Sequence, residues 1–175
     1  MRISKIIKGI LLMFIVSMIG CSTDSVDEIE KIQEVDASIK SAVKFNFTTS
    51  LKAENEVHPV DSKATGQAIV KISKDETYLE YKLIVANIED VIMAHFHMAP
   101  AGTNGNVVVW LFGKDGPAPA GDFNGVLAEG VITEDDVVGP LDGDFQALLD
   151  AIRAGNIYVN VHTTEFPGGE LRGQL

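Results

Sequence analysis

Cysteine is almost missing: Cys21 is the only one in 175 residues, so no disulfide can form within the chain. The fold must rest on its own core rather than on cross-links. Basic residues are also scarce. Fourteen Lys and Arg stand against 25 Asp and Glu, for a formal net charge of −11. That balance argues against a nucleic acid partner, because phosphate contacts need basic patches. The field instead attracts cations and favours solubility. Long apolar runs are absent too. The run Gly9 to Ile19 falls short of the roughly 20 residues that a transmembrane helix needs. No Gly-x-Ser-x-Gly, phosphate loop or complete EF-hand pattern occurs, and Asp142-Gly143-Asp144 is too short for a calcium loop. Nothing in the chain reads as a nucleophile with its base.

The first residues have the layout of a secretory signal. Arg2, Lys5 and Lys8 precede or flank the apolar run, which ends at Met18-Ile19-Gly20-Cys21. This resembles the bacterial lipoprotein signal, in which the cysteine is lipidated and becomes the mature N-terminus. Gly20 and Cys21 fit that pattern; Met18 and Ile19 depart from its usual leucine and small residue. The resemblance implies a signal peptide at 1–20, a lipid on Cys21 and an exported protein anchored in the bacterial cell envelope. Removing three positive charges and no negative one takes the net charge from −11 to −14. Residues 21–41, with Asp24, Asp27, Glu28, Glu30 and Glu34, read as an acidic tether. Residues 42–175 suit one domain.

Within that domain the apolar residues recur with period two. Phe45 and Phe47 alternate with Lys44, Asn46 and Thr48; Ala68, Val70 and Ile72 follow the same rule, as do Leu79, Tyr81, Leu83 and Val85. Such alternation marks antiparallel strands with one buried face. Asn104-Gly105 reads as a tight turn, and Val107 to Phe112 as a strand buried on both faces. Residues 113–124 form a Gly/Pro loop. Phe145, Leu148, Leu149 and Ile152 have helical spacing, with Asp144 as N-cap and Gly155 as terminator. Thr133 to Asp136 begins a shorter helical turn. The expected fold is all-β: a Greek-key sandwich or barrel of about seven or eight antiparallel strands, with one helix in a late crossover.

Three of the four histidines lie in two segments, Ala94-His95-Phe96-His97-Met98 and Asn160-Val161-His162. Residues two apart on a strand share a face. Ala94 and Phe96 therefore oppose Met93, His95 and His97, while Val159 and Val161 oppose Tyr158, Asn160 and His162. Burial of the apolar faces puts all three histidines on the faces away from the core. If the two strands are neighbours, His95, His97 and His162 converge there. Imidazole is the commonest protein ligand for transition metals and suits copper or zinc. His58, Asp61 and Glu165 are candidates for a fourth position. The competing reading is a set of solvent-facing histidines bonded to loop carbonyls.

In the C-terminal run, Pro167-Gly168 suits the centre of a type II turn, followed by Gly169. Glu170 and Arg172 would share a strand face as a charge pair, worth about 0.2–1 kcal/mol if exposed. Gly173 within a strand suggests a bulge or a close backbone approach.

The runs Leu51 to Val60, Ala64 to Ala68, Ala94 to His97, Ala101 to Val109 and Gly155 to Leu175 resemble the CHRD domain, repeated in chordin and found singly in exported bacterial proteins. His58 replaces the proline usual before Pro59. The resemblance implies a lipid-anchored binding or structural module without catalysis. Its partners would be the membrane, through the lipid, and an unidentified protein of the envelope. A looser similarity is to copper/zinc superoxide dismutase, which also has a His-x-His strand and a late-strand histidine in a Greek-key sandwich. It implies the alternative function: an envelope copper or zinc protein using His95, His97 and His162, with weak dismutase-like redox activity. The chain lacks that family's disulfide pair, and residues 98–124 hold no histidine.

Overall fold

The computed structural model describes residues 43–114 and 121–175. The expected signal segment 1–20, the expected tether 21–41 with Cys21, and residues 115–120 of the expected Gly/Pro loop lie outside them. Eight strands form one antiparallel sheet: β1 (Asn46–Lys52), β2 (Thr65–Ile72), β3 (Leu79–Glu89), β4 (Val91–Met98), β5 (Asn106–Phe112), β6 (Asp122–Ile132), β7 (Ile157–Thr163) and β8 (Leu171–Gln174). Their order is β5-β4-β7-β8-β1-β2-β3-β6. Strands β7 and β8 thus return late in the chain to fill the space between β4 and β1, which gives the sheet its Greek-key character.

The sheet curls into a nearly closed barrel. Its two end strands are β5 and β6, and β5 is tied across the gap to β3 and to the segment that follows β6. Tyr81 Oη donates to the Leu111 carbonyl at 2.9 Å. Val137 bridges Val109, and the Val138 amide donates to the Val108 carbonyl at 2.9 Å. Inside lie the alternating residues expected from period two: Phe47 and Leu51; Ala68, Val70 and Ile72; Leu79, Leu83 and Val85; Ala94 and Phe96; Val159 and Val161.

The helix α1 (Phe145–Arg153) packs Phe145, Leu148, Leu149 and Ile152 into this core. Asp144 caps it by accepting from the Ala147 amide at 2.9 Å, and Gly155 ends it at φ 70°. The turn after β6 is one turn of 3-10 helix, Glu134–Asp136, closed by Asp136 accepting from the Thr133 amide.

Three local expectations need correction. Strand β5 is not buried on both faces: it is an end strand, and Trp110 is 36 % exposed. The turn between β4 and β5 lies at Pro100–Thr103, with Gly102 at φ 75°, not at Asn104-Gly105. The Phe166–Gly169 turn forms around Pro167 and Gly168, but Gly169 carries the positive φ of 127°, so it is not type II. Gly173 does mark a close approach: a Cβ there would lie 2.7 Å from the Ser50 carbonyl oxygen.

Candidate functional site

Strands β4 and β7 are neighbours, with His95 opposite Asn160, His97 opposite Tyr158 and His162 opposite Met93. Their inner faces supply the core, as the alternation requires. Their outer faces are the surprise. They carry the three histidines, as expected, yet every residue of β7 is buried. His95, His97 and His162 are only 3 %, 9 % and 6 % exposed. The expected open outer face is instead a second buried layer, roofed by the β4–β5 connection and by the turn before β8.

The roof is bonded to the histidines. His97 Nδ1–H donates to the Gly105 carbonyl and His162 Nδ1–H to the Pro167 carbonyl, each at 3.0 Å. A carbonyl can only accept, so both bonds fix the tautomer and leave Nε2 with its lone pair. His162 Nε2 lies 3.3 Å from His95 Nδ1. His95 Nε2 and His97 Nε2 are buried without a protein partner. One nitrogen from each of the three rings falls within 4.8 Å of the others, the sole such histidine or acidic group of three among the described residues.

Supporting side chains hold the rings. Tyr158 stacks on His97 at 4.8 Å between centroids and 5° between planes, and Arg172 covers Tyr158 at 3.4 Å from the β8 side. Trp110 meets His95 edge-on at 4.2 Å. Asn104 Oδ1 and the Thr103 carbonyl accept from the Arg172 guanidinium. Asn104 and Gly105 are therefore part of the roof, and the Gly105 amide donates to Tyr158 Oη at 3.2 Å. A Cβ on Gly105 would overlap the Met98 carbonyl at 1.9 Å, so only glycine fits.

Burial governs the titration of this layer. It pushes His95 down to about 3, helped by the charges that His162 and His97 would carry. His97 is lowered by burial, against the Gly105 carbonyl and with Arg172 adding to the effect. His162 is lowered by burial, with the Pro167 carbonyl opposing. Burial raises the Glu56 carboxyl, against Asn160 and Arg172. All three imidazoles are neutral at pH 7, the form that binds metals.

The other candidates fall elsewhere. His58, Asp61 and Glu165 are exposed and outside the cluster; Asp61 and Glu165 line a separate acidic depression with Glu89, Asp90 and Asp122. Glu170 and Arg172 do not pair. Glu170 accepts from Ser62 Oγ at 2.6 Å and Thr163 Oγ1 at 2.7 Å, tying two loops together. Sequence reasoning missed Glu56, which accepts from the Asn160 amide beneath Gly169. It sits 104 residues from Asn160, and no local pattern announces it. Asn160 itself was legible, two residues before His162 on the same face.

Residues 47–175 match the family model described as CHRD domain. No curated protein and no solved structure matches the chain.

Proposed function

The chain belongs to the CHRD domain family, a membership that suggests a binding or structural module, and from that premise we propose that what it binds is a copper or zinc ion. His97 and His162 supply Nε2, and His95 supplies the third nitrogen. The observation that carries this reading is the pair of Nδ1–H bonds to the Gly105 and Pro167 carbonyls. They orient two rings so that their free nitrogens turn inward, which is how ligating histidines are ordinarily held. Nitrogens bound at about 2.0–2.1 Å to a tetrahedral ion stand roughly 3.3–3.4 Å apart, and His95 Nδ1 and His162 Nε2 are 3.3 Å apart. The unpartnered Nε2 of His97 also fits: a buried polar atom without a partner is costly and calls for an explanation. An all-imidazole donor set suits copper and zinc alike. The module holds the ion without turning over a substrate.

The same proposal places the module at a bacterial cell envelope. The basic start, the short apolar run and Gly20-Cys21 support export and lipidation. The membrane is then one partner and an envelope protein another; the acidic chain offers nothing to nucleic acid.

The test uses untagged protein and a His95→Ala/His97→Ala double variant. Wild type should carry about one equivalent of copper or zinc by elemental analysis. Adding copper(II) to the metal-free protein should quench the fluorescence of Trp110, the single tryptophan, because its ring touches His95. Equal metal content in both proteins, with no quenching in either, would overturn the proposal. For the anchor, Cys21→Ala should move the protein from the membrane to the soluble fraction; unchanged fractionation and unchanged mass at the N-terminus would refute lipidation.

A further inference from the structure

We propose that Met93 supplies a thioether to the three-histidine centre and makes it selective for copper(I) over zinc; this rests on the metal-binding reading of His95, His97 and His162. Met93, His95 and His97 stand at alternate positions of β4, so they share a face. Across the ladder Met93 is the partner of His162. The pairing slips between Val91 and Met93, setting two β4 residues against His162 alone. Such a bulge re-aims side chains and is common beside functional sites. Its result shows in the burial: Val91 and Ala94 point into the core, whereas Ile92 and Met93 are half-buried and stand apart from the apolar cluster.

Opposed residues on paired strands hold their Cβ atoms about 4.5–5.5 Å apart. Methionine sulfur stands two bonds beyond Cβ and is aimed by two torsions, so it can be turned toward the ring nitrogens. The donor chemistry then decides the ion. A soft, neutral thioether binds copper(I) and gives zinc little. Charge points the same way. The layer already buries Arg172, which acts on the buried Glu56 carboxyl but has no carboxylate in ion-pair contact among the described residues. A monovalent ion adds half the positive charge of a divalent one to that surrounding. His58, Asp61 and Glu165 are exposed and outside the cluster, whereas Met93 stands in register with His162.

The test compares wild type, Met93→Leu, Met98→Leu and the His95→Ala/His97→Ala variant, loaded anaerobically with copper(I) or with zinc. Leucine nearly conserves the volume of methionine, so Met93→Leu should fold. Chelator competition should show copper(I) affinity falling by about tenfold or more in Met93→Leu, at least the lower end of the 10–100-fold lost when supporting groups of metal sites are removed. Zinc affinity should not change. X-ray absorption should show a copper–sulfur distance in wild type and in Met98→Leu, and its loss in Met93→Leu. If copper(I) binding depends on the histidines but Met93→Leu binds as wild type with the same spectrum, the inference falls and the histidine site stands. If no protein binds either metal, both fall.

Discussion

Gly169 sits where the roof meets the strand beneath it. A Cβ there would come within 2.6 Å of both Asn160 Nδ2 and Glu56 Oε1, and its φ of 127° is one that other residues rarely adopt. Gly169→Ala should therefore cost about 1–3 kcal/mol, read as a lower urea midpoint at unchanged slope. A variant as stable as wild type would mean that the Glu56–Asn160 contact is easily displaced. The histidines make a second prediction at this scale. In the metal-free protein His95 stays neutral to about pH 3, whereas in the unfolded chain it protonates near pH 6.5. Between those values the unfolded state binds more protons, so stability falls as pH falls. His97 and His162 act in the same direction. Unfolding free energy should be level above about pH 7 and decline below about pH 6.5, by up to about 1.4 kcal/mol per pH unit for each histidine. His95→Gln should flatten the slope by about one proton. An onset only near pH 4 would assign the loss to carboxylates instead.

Elements show which parts of the structure a local pattern can carry. The faces of β4 and β7 follow from period two alone, because burying Ala94, Phe96, Val159 and Val161 fixes where His95, His97 and His162 must point. The helix follows from Phe145, Leu148, Leu149 and Ile152, with both of its ends. What covers the second face did not follow. Gly105 and Pro167 reach the histidines from connections whose paths depend on which strands are neighbours. For the same reason Val107 to Phe112 reads as a doubly buried strand when it is an end strand. Glu170 and Arg172 read as a pair by spacing, yet Glu170 precedes β8 and turns to Ser62 and Thr163. The helix offers a test of this separation. Leu149→Ala should cost about 2–5 kcal/mol, and Asp144→Ala about 0.5–2 kcal/mol through the lost cap, by urea unfolding. Both should keep the metal stoichiometry of wild type, since α1 touches the inner core and not the histidine layer.

For the whole molecule, the proposed metal binding would be coupled to stability, because the site belongs to the folded barrel alone. The cluster draws on β4 and β7, with Arg172 of β8 and the two roofing segments behind it, so an unfolded chain offers no comparable set. No disulfide and no cross-link supplements the core. A ligand that binds only the native state stabilises by about 2.7 kcal/mol at one hundred times its dissociation constant. For a domain of this size that amounts to a rise in Tm of about 5–10 °C. Copper, added at that excess to metal-free protein, should produce the shift in wild type and lose it in His95→Ala/His97→Ala. An exposed histidine outside the cluster, His58, provides the control: His58→Ala should keep the whole shift. If the double variant gained as much as wild type, the ion would be stabilising the protein from the acidic surface around Glu89, Asp90 and Asp122, and the buried imidazoles would be a structural layer.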